Sequence, residues 1–251
     1  MVKKWNITIP QLSGSKKRKA YIYLPNSYNK NPELRYPVLY MFDGHNVFFD
    51  RDATYGKSWG MKRYMDGARK NLIIVAVECN HEGNQRLSEY SPFPFDDSYF
   101  GAVEGRGDIY MDWLVGELKP WIDSHYRTLP DREHTFIAGS SMGGLMSLYA
   151  ACAYSGVFSG AACLSPSLWV SPEGVEELIS ETEFPGETVL YMDYGSRELE
   201  NHAPTMEALT SVNEQLLDKG VYTTFRIVPG GDHSEASWER QIPIFMRCLG
   251  L

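Results

Sequence analysis

No run approaching the ~18 apolar residues that a membrane helix needs occurs in this 251-residue chain. The opening Met1-Val2-Lys3-Lys4-Trp5-Asn6-Ile7-Thr8-Ile9-Pro10 has two lysines, but no continuous apolar stretch follows to make a secretory signal. Basic charge is scarce as well: the net charge is −8, which leaves no positive field to attract phosphates and argues against nucleic acid as a partner. The one basic cluster, Lys16-Lys17-Arg18-Lys19, lies between a turn at Ser13-Gly14 and a strand-like segment, and reads as a solvated hairpin end. The four cysteines, Cys79, Cys152, Cys163 and Cys248, are widely spaced without a CxxC pair. They read as reduced core residues rather than a disulfide framework or a zinc site, and a cytoplasmic location is expected. Repeats, low-complexity tracts and Gly/Ser linkers are lacking too, so residues 1–251 are expected to form one domain with no membrane association.

What is present alternates. Tyr21–Pro25 has strand periodicity and stops at a proline. Val38–Phe42, Leu72–Val77 and Thr135–Ala138 are continuous apolar runs, as in strands buried on both faces. Gly160–Leu164, Thr188–Met192 and Thr223–Val228 continue the series. Tyr110, Leu114, Leu118 and Ile122 recur at i+4 and predict a helix over Ile109–His125, in which Pro120 removes a backbone donor and bends the axis. Leu145–Ala153 is small and apolar throughout, and Thr205–Lys219 is amphipathic and stops at Gly220. Strand–helix alternation predicts an α/β fold: a mostly parallel sheet with helices on both faces and an antiparallel start. Residues 79–106 have no steady period and are rich in Pro, Gly, Asp and aromatics. They predict an irregular but ordered loop on the substrate side.

Chemistry concentrates at His134-Thr-Phe-Ile-Ala-Gly139-Ser140-Ser141-Met142-Gly143-Gly144-Leu145, a strand, then Gly-x-Ser-x-Gly, then a helix. In a nucleophile elbow the turn is too tight for side chains two residues either side of the serine, which selects Ser141 over Ser140. A serine hydroxyl needs a base. His134 lies at the far end of the elbow strand and His202 begins a helix, whereas His233 sits in Pro229-Gly230-Gly231-Asp232-His233, directly after the last predicted strand. His233 is therefore the expected base. The acid should follow the preceding strand, where Asp193 and Glu198 both qualify; Glu198, past Gly195 on the turn, is preferred and Asp193 is the alternative. Two backbone donors should hold the oxyanion: the Met142 amide, and an amide of Asp43-Gly44-His45-Asn46, with His45 preferred and Gly44 the alternative. Neither a metal nor an organic cofactor is expected.

With these residues in place the chain resembles the esterase family that includes esterase D, enterochelin esterases and the carbohydrate esterases acting on acetyl or feruloyl groups. The resemblance rests on Pro37–Tyr40 with Asp43-Gly44, Glu117–Asp123, Tyr126–Thr128, Ala138–Gly144, Ser165-Pro166-Ser167-Leu168-Trp169 and Gly230–His233, which span nearly the whole chain. It implies the α/β-hydrolase fold, with Ser141 and His233 as nucleophile and base, and it favours Glu198 as the acid. It also implies that Arg86, Glu89 and Tyr90 lie beside the active site as substrate-binding residues, and that Trp169 lines an acyl or leaving-group pocket unless it packs in the core. The expected activity is hydrolysis of short acyl or aryl esters of a carbohydrate or similar small molecule, through an acyl-enzyme. A siderophore esterase, an acyltransferase with the same triad and a catalytically inactive binding module are the rival readings. The oligomeric state stays open, a homodimer among the options.

Overall fold

The computed structural model describes all 251 residues. Ten strands form: β1 (Val2–Thr8), β2 (Lys17–Tyr23), β3 (Val38–Met41), β4 (Ile73–Val77), β5 (Phe95–Asp97), β6 (Gly101–Val103), β7 (Thr135–Ser140), β8 (Gly160–Leu164), β9 (Val189–Gly195) and β10 (Tyr222–Val228). Eight of them make one sheet in the order β1-β2-β4-β3-β7-β8-β9-β10. The β1–β2 and β2–β4 pairs are antiparallel, and every pair from β4 onward to β10 is parallel. This is the α/β-hydrolase arrangement, antiparallel start included.

The apolar runs give strands because a central parallel strand buries both faces. Successive residues feed two different cores. Val38 and Tyr40 of β3, with Ile73, Val75 and Val77 of β4, enter the larger core under the helices Gly107–Trp113, Met142–Ala153, Pro172–Glu181 and Ala203–Asp218. Leu39, Met41, Ile74 and Ala76 enter the smaller one beneath Met61–Ala68 and Ile242–Cys248. Parallel strands fed this way all point their C-terminal ends to one edge, where ligands bind in open α/β sheets. Asp43, Cys79, Ser141, Ser165, Glu198 and His233 all lie at or just beyond those ends.

Three expectations are revised. The helix expected over Ile109–His125 is not one α-helix: after Gly107–Trp113 a π-helical stretch, Leu114–Leu118, leads into Lys119–His125, with Pro120 in the first turn of that segment, where its missing donor is tolerated. Residues 79–106 are not irregular throughout, since they hold a short helix, Gln85–Glu89, and the β5–β6 hairpin. The basic cluster is not simply a solvated hairpin end. Arg18 is buried on β2, and its guanidinium pairs with the buried Glu89 carboxylate at 2.7 Å and donates to Ser13 Oγ at 3.0 Å. Burial pushes the Glu89 carboxyl above its ordinary value despite the opposing Arg18 charge.

A buried pair costs most when one partner is removed, because the other charge is left uncompensated. Arg18→Met should therefore lower stability by about 3–5 kcal/mol, read from urea denaturation. The double variant Arg18→Met/Glu89→Gln should recover most of that loss, since Gln can still accept the Asn80 N–H that Glu89 accepts at 2.8 Å.

Candidate active site

The strand β7 ends in Ser140, and the chain turns at Ser141 with φ 59° and ψ −124°, a backbone conformation that side chains other than glycine rarely adopt. Gly139 is required for that turn, because a Cβ there would lie 2.4 Å from the Gly143 carbonyl oxygen. At Gly143 a Cβ would sit 3.0 Å from Phe42 Cβ, and at Gly144 one would lie 2.8 Å from the Leu164 carbonyl. The Ser141 N–H donates to the Leu164 carbonyl at 2.9 Å, while its own carbonyl accepts from Ser167, Gly144 and Leu145. These bonds hold the strained residue in place. The adjoining helix, Met142–Ala153, is buried over most of its length and starts with its free N–H groups at the cleft.

Glu198 sits at the centre of the acid side. Its carboxylate accepts from Ser165 Oγ (2.6 Å), from the Gly195 N–H (2.6 Å) and lies 2.8 Å from His233 Nδ1. Ser165 also has a positive φ of 44°, and its hydroxyl accepts from Trp238 Nε1 at 3.0 Å. Asp193, the alternative acid, does not reach the imidazole. It is buried, accepting from Tyr191 Oη at 2.7 Å and from the Ser165 N–H at 3.2 Å, and burial pushes its carboxyl up to about 7. His233 packs edge-on against Trp238, ring centroids 5.1 Å apart. Ser141 and His233 face one cavity of about 500 Å³. The Ser141 hydroxyl approaches Ser167 Oγ at 3.4 Å and makes no hydrogen bond to His233, as is common before substrate tightens the contact.

The expected oxyanion loop follows β3. Asp43 adopts the left-handed conformation (φ 52°), and Gly44 packs so closely on β4 that a Cβ would meet the Ala76 and Val77 backbone at 2.9 Å. Arg86 grips Asp43 with two hydrogen bonds of 2.7 and 2.8 Å, and the Asp43 N–H donates to Tyr90 Oη at 3.2 Å. Burial alone would raise the Asp43 carboxyl; the Arg86 guanidinium outweighs it and holds it below its ordinary value. His45 is buried, and that burial holds its imidazole below the ordinary histidine value.

The residues expected to touch substrate thus divide. Arg86 lines the cavity, but Asp43 occupies its guanidinium. Glu89 and Tyr90 are buried and line no part of it: Glu89 neutralises Arg18, and Tyr90 braces the Asp43 loop. Trp169 is half exposed rather than in the core, and lines a second hollow of about 220 Å³ with Tyr194, Leu199 and His233. The Phe95 ring meets it edge-on at 5.6 Å. Sequence reasoning missed Ser165, Ser167 and Trp238, which hold Glu198 and the Ser141 turn, and the wall residues Asn46, Asn80, His81 and Glu235. Ser165-Pro166-Ser167 stood out as a landmark, but nothing local in sequence says that the first serine takes a positive φ.

The esterase family described as Putative esterase matches residues 13–246. The chain belongs to this family. It is a carboxylic ester hydrolase. The esterase is 24% identical over 211 residues to the "Uncharacterized protein YbbA" of Bacillus subtilis, covering 81% of this chain and 79% of that one. It is 29% identical over 202 residues to the "Iron(III) salmochelin esterase" of Escherichia coli O6:H1, covering 73% of this chain and 46% of the relative. Among solved structures, one titled "ferulic acid esterase" superposes with a TM-score of 0.66 at 20% identity, covering 100% of this chain and 97% of the other, a likeness of fold.

Two predictions follow from this geometry. Arg86→Ala leaves the buried Asp43 carboxylate unpaired, and should cost about 2–4 kcal/mol of stability together with a fall in p-nitrophenyl acetate turnover of roughly ten- to a hundredfold; Arg86→Lys should restore little of either, lacking the two-pronged grip. The second concerns Asp193, whose carboxyl is raised from an unfolded value of 3.8 to about 7. Its neutral form is the one folding favours, so that contribution is full below about pH 4 and is lost as pH rises toward 7. Asp193→Asn should thus gain stability relative to wild type between pH 4 and 7, by an amount on the order of 2–4 kcal/mol, read from urea midpoints at several pH values.

Proposed function

We propose that the esterase cleaves its substrate through a covalent Ser141 acyl-enzyme, with His233 as general base and acid and Glu198 as the acid that orients it. The observation that carries this reading is the 2.8 Å contact from Glu198 to His233 Nδ1, with Ser141 on a strained elbow facing the same cavity. Glu198 fixes the proton on Nδ1, which leaves Nε2 free to take the Ser141 proton as Oγ attacks the ester carbonyl. The carbonyl π electrons move onto oxygen, and the Met142 and His45 N–H groups hold that oxyanion, with Gly44 the alternative to His45. Collapse expels the alcohol, which leaves with the proton from Nε2. Water then gives its proton to Nε2, attacks the acyl carbon and releases the acid, and Ser141 regains its proton. Water as acceptor distinguishes this from acyl transfer.

We further propose a small acylated molecule, a carbohydrate ester first, as substrate. The larger cavity offers Asn46, Asn80 and His81 as hydrogen-bonding groups, while the smaller hollow offers Trp169, Tyr194 and Leu199 as an apolar and aromatic wall. One polar and one aromatic compartment suit a sugar alcohol and a short acyl or aryl group. The relative named for iron(III) salmochelin supports a siderophore ester as the second reading. Against it stands the lack of a free cation in either hollow, since Arg86 is tied to Asp43. No helix is long and apolar enough to cross a membrane; we place the chain in the cytoplasm on its four free cysteines.

A fluorophosphonate probe should label the wild type and not Ser141→Ala; an unlabelled native wild type would sink the proposal. Glu198→Gln, which keeps the shape but not the charge, should lower p-nitrophenyl acetate kcat by about a hundredfold or more. Asp193→Asn should change it far less, and the reverse order would make Asp193 the acid. Turnover of acetyl, butyryl and feruloyl esters on simple alcohols and on oligosaccharides ranks the substrates.

A further inference from the structure

The wall of the larger cavity holds three side chains that take part in none of the proposed bond-making steps, His81 among them, whose imidazole also faces the substrate space. His45, from the loop after β3, meets Cys79 and His81, from the loop after β4, and one donor atom of each lies within 4.8 Å of the other two. Cys79 Sγ is 3.9 Å from His81 Nδ1, and the two imidazoles stand edge to face with centroids 4.5 Å apart. His45 is only 5% exposed, and its Nδ1 is one of four buried side-chain polar atoms in the protein without a hydrogen-bond partner. A buried ring nitrogen left unpaired is unfavourable, and its place beside a thiol and a second imidazole points to a ligand there.

We infer that His45, Cys79 and His81 form a site for a divalent transition-metal ion, Zn²⁺ by preference, in the wall of the cleft. The donor set is the argument for the metal. Two imidazoles and a thiolate suit zinc, while calcium and magnesium want oxygen ligands. The spacing is close to what such an ion requires. With bonds of about 2.0–2.3 Å a tetrahedral zinc holds its donors roughly 3.3–3.8 Å apart. The Cys79–His81 pair is within a few tenths of an ångström of that, and His81, exposed at the cavity, can turn to close the rest.

Three protein ligands leave a fourth position for water or a ligand oxygen, and Ser141 and His233 line the same cavity. The surroundings are charged. Asp43 and Glu78 act on His45 as nearby negative charges, Arg86 as a positive one, and Glu89 adds to the negative field at Cys79. Without metal, burial keeps Cys79 as the neutral thiol, beside the Asp43 carboxylate. Coordination forms the sulfur–metal bond as the S–H bond breaks, and the proton passes to solvent, so one proton leaves for each ion bound.

The test loads the purified full-length protein with Co²⁺ as a spectroscopic stand-in for zinc and follows Zn²⁺ by competition. One equivalent of Co²⁺ should bind with a thiolate-to-cobalt charge-transfer band in the near ultraviolet and visible bands of tetrahedral intensity. Zn²⁺ should displace it. Cys79→Ser should abolish the charge-transfer band and weaken Zn²⁺ binding by about tenfold or more. His81→Ala should weaken binding by a similar factor while keeping the band; circular dichroism and melting curves confirm that both variants fold. Absence of the charge-transfer band in the wild type overturns the site. So does zinc affinity that survives both substitutions but is lost in His233→Ala, which would put the ion on the proposed catalytic base. These readouts do not depend on turnover, so they stand or fall apart from the esterase mechanism.

Discussion

Ser141 occupies a backbone conformation that costs an L-residue on the order of 1–3 kcal/mol, and much of the molecule around the cleft is arranged to hold it there. The strain is compensated by contacts that could form only if β7, β8 and the helix Met142–Ala153 meet at one point. Leu164 at the end of β8 takes the Ser141 N–H, and Gly139 and Gly143 pack backbone against backbone beneath it. The parallel order of the two strands is what brings these atoms together. Of the four non-glycine residues with positive φ, three (Asp43, Ser141 and Ser165) stand just beyond the ends of β3, β7 and β8 at the cleft. Strain is thus concentrated where the proposed chemistry needs backbone amides and a hydroxyl turned out of the sheet.

The acid side is held by a second close approach. A Cβ at Gly195 would lie 2.5 Å from the Gly231 carbonyl oxygen, so the loop after β9 touches the loop after β10 main chain to main chain. Arg197 N–H donates to that same carbonyl at 2.8 Å, and Gly230 N–H donates to Ser196 Oγ at 2.9 Å. These bonds join the two loops that carry Glu198 and His233, which are 35 residues apart in sequence. Ser165 and the Gly195 N–H then complete the solvation of the Glu198 carboxylate, leaving one oxygen for the imidazole.

Sequence carried the parts of this that depend on local pattern. Continuous apolar runs announced the buried parallel strands, and the glycines two residues either side of Ser141 announced the elbow, because both signals are short-range. The preference for Glu198 over Asp193 rested on distance past Gly195, and Glu198 is the carboxylate that lies 2.8 Å from His233 Nδ1. What could not be read was pairing across the fold. Arg18 looked like part of a solvated basic cluster because its partner, Glu89, lies 71 residues away on a segment without periodicity. Glu89 and Tyr90 were expected beside the active site from the family resemblance, which carries position along the chain but not the contacts a side chain makes; both are buried, against Arg18 and the Asp43 loop. Short elements such as Gln85–Glu89 and β5–β6 escaped because they are stabilised by their tertiary setting rather than by their own pattern.

The segment between β4 and the helix Gly107–Trp113 is therefore better understood as a brace than as a substrate loop. Its Arg86 and Tyr90 reach back to Asp43 and hold the turn that carries Gly44 and His45. Its Glu89 locks the same segment onto β2 through Arg18. If this turn holds the oxyanion as proposed, its amides must be fixed before charge develops, because amides that had to reorient would lose stabilisation in doing so. A bidentate guanidinium–carboxylate pair, buried on the carboxylate side, supplies that rigidity. The same segment places Asn80 and His81 on the cavity wall and Phe95 against Trp169. Selectivity for alcohol and acyl group would then reside in those few residues, while the inner ones fix the geometry that any ester must share.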